Sequence, residues 1–258
     1  MPRVIINSIP KSGTHLLERA LSLMGVSTQV PLFVSSATAG NYPPGDDETV
    51  LVGVGMPVCV SARLLHQALA GLAPGQVVTG HVPYSPPLDK LLRELGFRMI
   101  LIVRDPRDVA VSLAHHIARE MGHRLHASFA KLSPQERILR AITGVRGDGD
   151  EQLEDISRRY HAVLPWLSSD LCLLVRFEDL VGQKGGGSDE RQRSVLLEIA
   201  SALGINQPDL PLIQGQLFGH GATFRQGLIG QWPRQFTEVH QEAFARVAGG
   251  LLRELGYC

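Results

Sequence analysis

A chain of 258 residues, 44% hydrophobic and 19% charged, is long and apolar enough to bury one substantial core, and it reads as a single domain over residues 1–258. Its 25 basic and 25 acidic residues cancel, so no global field favours nucleic acid or an anionic membrane as partner, and any anion site must be local. No run reaches the roughly 18 apolar residues of a spanning helix.

The first element is a short apolar strand, Val4 to Ile6, followed by a turn at Pro10 to Thr14. Leu16, Leu17, Ala20, Leu21 and Met24 then recur at helical spacing. This motif starts about ten residues from Met1, so the expectation is a chain with no signal peptide or membrane anchor ahead of it. Strand, lysine-bearing turn and helix start make a phosphate cradle: unpaired N–H groups, the positive end of the helix dipole and the Lys11 ammonium all favour a polyanion. The plain alternative is an ordinary strand-turn-helix connection. A Walker loop is excluded, because it needs Gly, four residues, then Gly-Lys and Ser or Thr, whereas Lys11 precedes Gly13.

Residues 35–58 are rich in Gly, Pro, Ser and Asp and read as a mobile surface loop. A helix is expected over 62–70, a strand at Val77 to Val78, and then a Gly- and Pro-marked turn that holds His81. A helix over 88–95 leads to the strand Met99 to Val103, which delivers Arg104 to a second helix start. Asp105 suits the cap there and Pro106 the first helical position. Ser112 lies two helical turns beyond Arg104, so a guanidinium fork and a hydroxyl can meet one phosphate. The alternative is that Arg104, Asp105, Arg107 and Asp108 are surface ion pairs.

Further on, the polar segment 115–150 reads as a lid over an acceptor pocket, with a helix over 136–143. His115, His116, His123 and His126 lack an accompanying carboxylate or cysteine at ligand spacing, which favours an exposed helical face over metal. A helix over 153–167, a strand at Leu171 to Val175, a glycine-rich mobile loop over 182–190 and helices over 191–203 and 238–255 complete the chain. The alternation of strand and helix predicts a parallel α/β sheet. Cys59, Cys172 and Cys258 are odd in number, far apart and without a CxxC pair. That fits a reducing cytoplasm, with two buried cysteines and one terminal thiol.

The sequence PKSGT resembles the loop by which sulfotransferases grip the 5′-phosphosulfate of 3′-phosphoadenosine 5′-phosphosulfate (PAPS). Three further segments resemble the same family in the same order. RDPRDVAVS is similar to its 3′-phosphate motif, LLVRFEDLVG to its YEDL segment, and FRQGLIGQWPRQFT to its RKGxxGxWKNxFT segment. The resemblance implies a P-loop-like three-layer fold, with a central parallel sheet flanked by helices, and PAPS as co-substrate without metal. It places Lys11, Ser12, Gly13, Thr14 and His15 at the 5′ end of the nucleotide. Arg104, Ser112, Arg225, Gln226 and Gly227 fall at the 3′-phosphate, and Phe177 near the adenine.

VVTGHVPYSP resembles the family's KTHLP turn and implies His81 as the base, with Lys11 stabilising the leaving phosphate. Thr79 and Gln226 stand where the family has lysines, and Leu16 stands where many members stack a Trp on adenine. His15 either contacts the phosphosulfate or caps the helix. The acceptor is then a hydroxyl or amine of a small molecule, lipid or carbohydrate. Leu32, Phe33, Met56 and Tyr84 favour an apolar alcohol or phenol, and its pocket draws on residues 35–58, 83–87 and 115–150. Loss of catalysis with the nucleotide site kept, or a P-loop phosphotransferase, are the rival readings.

Overall fold

The computed structural model describes residues 1–27, 32–147, 151–219 and 227–257. The chain opens with β1 (Arg3–Ser8), α1 (Thr14–Leu23), β2 (Phe33–Val34), β3 (Thr49–Val52), β4 (Val58–Ser61) and α2 (Ala62–Ala70). Next come β5 (Val77–Gly80), α3 (Pro86–Glu94), β6 (Phe97–Val103), α4 (Pro106–Arg119), α5 (His126–Ala130) and α6 (Pro134–Thr143). After β7 (Val145–Arg146) and β8 (Gln152–Leu153) follow α7 (Ile156–His161), β9 (Cys172–Arg176) and α8 (Phe177–Leu180). The last helices are α9 (Asp189–Leu203), α10 (Leu210–Leu217) and α11 (Glu238–Leu255). Among the described residues no helix is long and apolar enough to cross a membrane.

The elements fall into two compact units, residues 1–103 with 162–229 and residues 104–161 with 230–258. The first holds a five-stranded parallel sheet in the order β2-β5-β1-β6-β9. Alternate residues of each central strand face opposite sides. On one side Val4, Ile6, Ile100, Ile102 and Val175 pack with Leu17 and Leu21 of α1, Leu196 and Ile199 of α9, and Ile213 of α10. On the other, Ile5, Val78, Met99 and Leu101 are also buried. Burial on both faces explains why these strands read as continuous apolar runs.

The chain leaving β1 crosses to β2 at one edge, whereas the chain leaving β6 returns as β9 at the other. The carboxyl ends of β1 and β6, paired at Ser8 and Ile102, therefore form the switch point at which open α/β sheets bind ligands. The second unit packs Leu113 and Ile117 of α4 with Leu125, Phe129 and Leu153 around its own small core.

Several sequence expectations need correction. Residues 35–58 are not a featureless loop: a 3-10 turn at Ser36–Asn41 carries a capping box from Ser35 and Thr38, and β3 pairs antiparallel with β4. The glycine-rich stretch is a packed turn in which Gly182 and Gly186 take φ 71° and 92°, Gly187 N–H donates to Gly182 C=O, and Gly185 is buried. The helix over 153–167 divides into α7 and a 3-10 turn at Leu164–Ser168, because Pro165 opens a new turn instead of continuing the first. Residues 115–147 carry α5 and α6 and give Ile117, Leu125 and Phe129 to the second core. Cys59 is exposed rather than buried; Cys172 is half-buried, which pushes its thiol up to about 12, and Cys258 lies outside the described residues.

Candidate active site

The phosphate cradle is built from β1, the turn after it and α1. Lys11 takes φ 76° and Gly13 φ 114°, two left-handed residues that bend the chain sharply between strand and helix. Ser12 between them is wholly buried and works inward: its N–H and Oγ–H both donate to Ile9 C=O, at 3.1 and 2.7 Å, and Oγ also lies 3.0 Å from Ile102 C=O. It ties the turn to the end of β6 and has no donor left for a ligand. The start of α1 has no side-chain cap and no acidic residue in its first turn, so its N–H groups and dipole stay available to an anion. Lys11 is half-buried at the mouth of this turn.

Phe177, at the head of α8, forms the floor. Its ring is 4% exposed, and a Cβ built on Gly13 would lie 2.6 Å from its Cδ2. The ring thus supports the loop from beneath, a task the sequence did not announce, and its packing surface is Gly13. Thr14 Oγ1 meets Ser8 Oγ at 2.7 Å. His15 is exposed and its Nδ1 pairs with Glu18 one turn along at 2.6 Å, so its side chain does not cap the helix.

His81 follows β5 and is held on every side. Its N–H donates to Val34 C=O at 2.9 Å, and its C=O accepts from Gly53 N–H at 2.8 Å. Its ring meets Phe33 edge-on at a centroid distance of 5.1 Å. Nδ1 lies 2.7 Å from Ser8 C=O and 3.1 Å from Ser8 Oγ. A carbonyl can only accept, so Nδ1 carries the proton and Nε2 holds the lone pair in the neutral ring. Burial pushes the imidazole down from 6.5 to about 4; the Ser8 carbonyl opposes this, and the nearby charges of His15 and Lys11 add to it. At neutral pH the ring is an uncharged acceptor with a fixed tautomer.

In the second unit the RDPRD motif resolves residue by residue. Asp105 accepts from Arg107 N–H at 2.8 Å as the cap of α4, and Pro106 occupies the first turn. Arg107 bonds Asp105 Oδ2 at 2.7 Å and stands 4.2 Å above the Trp232 ring. Asp108 is wholly buried at its side chain and lies 3.5 Å from Arg104 Nη2. It also accepts from the N–H groups of Gly230, Gln231 and Trp232 at 2.7, 2.8 and 2.9 Å. These are interior bonds, not surface ion pairs. Arg104 is 8% exposed, with its carbonyl held by the Tyr160 hydroxyl, and half-buried Ser112 lies one turn beyond Asp108 on α4.

Arg225 and Gln226 lie outside the described residues. Gly227, with φ 63°, opens the described stretch in which Ile229 N–H donates to Gly185 C=O at 3.0 Å. Thr79 sits in β5 opposite Ile6 and Phe33, and Leu16 packs partly against the main core. His116 and His123 stack edge to face, and His126 Nδ1 lies 3.2 Å from Ile117 C=O. Among the described residues no three metal-ligating side chains converge. Leu32, Phe33, Met56 and Tyr84 are all half-buried, and the Tyr84 ring packs edge-on to Trp166. Asp108 and Asn7 are the functional candidates that motif reading missed. The signal for Asn7 was present, as an amide in an otherwise apolar strand.

A family model described as the sulfotransferase domain matches residues 1–206. The fold is similar to the crystal structure of mouse sulfotransferase SULT7A1 complexed with PAP, at TM-score 0.61 and 17% identity, over 100% of this chain and 87% of that one. It is also similar to retinol dehydratase in complex with androsterone and inactive cofactor PAP, at TM-score 0.60 and 15% identity, over 98% of this chain and 81% of that one. A second retinol dehydratase complex, with retinol and PAP, gives TM-score 0.57 and 16% identity over the same shares. No curated protein sequence matches the chain.

Proposed function

Because the chain belongs to the sulfotransferase domain family and so transfers a sulfuryl group from PAPS, we propose that His81 is its base, Lys11 its leaving-group cation and an apolar hydroxyl compound its acceptor. The observation that supports this best is the tautomer of His81: with Nδ1–H on Ser8 C=O at 2.7 Å, Nε2 is the basic atom. His81 Nε2 takes the acceptor's proton while the acceptor oxygen (or amine nitrogen) bonds to sulfur. The bond from sulfur to the bridging phosphate oxygen breaks, and its electron pair leaves on adenosine 3′,5′-bisphosphate (PAP). Lys11 and the uncapped start of α1, at Gly13, Thr14 and the His15 main chain, stabilise that developing charge.

Arg104 and Ser112 bind the 3′-phosphate, with Arg225, Gln226 and Gly227 contributing from the C-terminal segment. Asp108 orients the Arg104 guanidinium. Phe33, with its ring edge on His81, and the half-buried Leu32, Met56 and Tyr84 favour an apolar alcohol or phenol over a sugar. The androsterone and retinol of the retinol dehydratase complexes are acceptor-sized apolar alcohols of this kind. The whole chain works as one sulfotransferase domain, and its free thiols at Cys59 and Cys172 suit a reducing cytoplasm.

Two measurements test this reading. Arg104→Ala should weaken PAP binding at least about tenfold, the scale of one charged hydrogen bond, and leave affinity for 5′-AMP unchanged. Equal losses for both nucleotides would remove Arg104 from the 3′ end. The pH profile tests the base. An ordinary imidazole is about 90% protonated at pH 5.5, whereas His81, lowered to about 4, stays neutral. The value of kcat/KM should therefore hold from pH 7.5 down to 5.5 and fall only as pH approaches 4. A tenfold loss by pH 5.5, with the protein still folded, would contradict it.

A further inference from the structure

Asn7 is the last residue but one of β1, wholly buried, and follows the apolar run Val4, Ile5, Ile6. Its main chain pairs opposite Gly80 of β5, at the point where that strand ends. The ladder stops there, and the Asn7 side chain continues it. Nδ2 donates to Val82 C=O at 2.9 Å, and Oδ1 accepts from Val82 N–H at 2.9 Å. Together these imitate a pair of strand hydrogen bonds two residues past the sheet edge. Oδ1 also accepts from Ser8 N–H at 3.0 Å, which fixes the carboxamide against its own strand. Val82 C=O is held a second time by Trp166 Nε1 at 3.1 Å.

Val82 immediately follows His81, and Ser8, next to Asn7, supplies the carbonyl that orients the ring. Two consecutive residues of β1 thus fix the main chain of Val82, next to His81, and the imidazole of His81 itself, and the same strand runs directly into the Lys11 turn. We propose that Asn7 is a positioning residue for sulfuryl transfer: its carboxamide locks the His81 turn to the strand end that carries the phosphate loop, so base and donor loop keep one geometry. The proposal rests on the reading of His81 as the base. A misplacement of about 1 Å in such a constellation costs on the order of 10²-fold in rate.

Two variants test it. Asn7→Leu keeps the volume and deletes all four side-chain bonds, the long one from Nδ2 to Met99 Sδ at 3.8 Å included. Asn7→Asp keeps the acceptor for Val82 and Ser8 N–H but, when ionised, presents an oxygen to Val82 C=O and a negative charge to the turn. The ring already lies within electrostatic reach of Lys11 in the loop and His15 in α1, and meets the apolar Phe33 of β2 edge-on. An added carboxylate is the one new charge.

Asn7→Leu should lower kcat about 10- to 100-fold with the PAP dissociation constant, read by calorimetry, within twofold of native. Asn7→Asp should lower kcat near neutral pH and regain activity as pH falls and the acid form restores the donor to Val82 C=O. If Asn7→Leu does not fold, Asn7→Asp alone decides. Turnover within twofold of native near neutral pH in either folded variant, no recovery of Asn7→Asp as pH falls, or parallel loss of PAP affinity and turnover would overturn the proposal. His81→Ala separates the two levels: an active His81→Ala removes the base assignment itself, whereas an inactive one beside fully active Asn7 variants removes only the role of Asn7.

Discussion

His81→Ala is expected to lower kcat by about 10²- to 10⁴-fold at saturating PAPS, the range general base catalysis supplies, while PAP binds as to the native protein. The separation follows from where the groups sit. In the proposed reading nucleotide charge falls to the turn at Lys11 and Gly13, to the start of α1 and to Arg104, and the substitution removes none of these donors. What disappears is Nε2, the basic atom. Alanine also strands Ser8 C=O, which had accepted from Nδ1 at 2.7 Å. A modest drop in melting temperature should accompany the kinetic loss, since an orphaned buried acceptor costs about 1–3 kcal/mol. Stopped-assay turnover with labelled PAPS, paired with PAP calorimetry, reads both effects. Turnover close to native would mean that another group takes the proton.

Gly13→Ala should damage both the fold and the phosphate turn. The added Cβ would lie 2.6 Å from Phe177 Cδ2 and 3.1 Å from Ile102 Cδ1, and φ 114° is a conformation that an L side chain resists in any space. Backbone strain of about 1–3 kcal/mol and overpacking of similar size act together, because ring and strand are both buried and neither can yield. Stability should fall by about 2–5 kcal/mol, and PAP affinity should fall more than tenfold as the turn is forced away from the helix start. Phe177→Ala in the same chain relieves the clash but not the dihedral strain, so the double variant should recover only part of the loss. A native melting temperature in Gly13→Ala would show that the turn is held less tightly than its contacts indicate.

Much of this architecture was legible because its causes are local. The central strands are buried on both faces, so Val4 to Ile6 and Met99 to Val103 stand out as apolar runs, and Asp105-Pro106 marks the start of α4 by capping chemistry alone. The hairpin of β3 and β4 was hidden because Pro43, Pro44, Gly45, Asp46 and Asp47 dominate the composition around it, although Thr49–Val52 alternates exposed and buried. The glycines after α8 read as slack, yet a Cβ on Gly187 would lie 2.6 Å from Glu178 C=O, so they are there for close approach.

Site residues divide in the same way. Motif spacing brings out Lys11, His81 and Arg104, but it cannot tell a ligand from a strut. Ser12 spends its hydroxyl inward, and Phe177 points down instead of out. Asp108 and Asn7 are satisfied by main-chain groups 122 and 75 residues away, which no local pattern encodes.

The second compact unit is split in the chain, with residues 104–161 separated from residues 230–258 by a long stretch of the first unit. During synthesis β1, β5 and β6 can pair once residue 103 has emerged, and the phosphate turn and His81 come with them. Helices α4 to α7 emerge next but lack α11, which packs on α6 and α7. Asp108, with its carboxylate beside Arg104, must wait on water for the three amides of Gly230 to Trp232. The carboxylate of Asp108 is thus among the last groups of the second unit to find its partners, once residues 230–232 have been made.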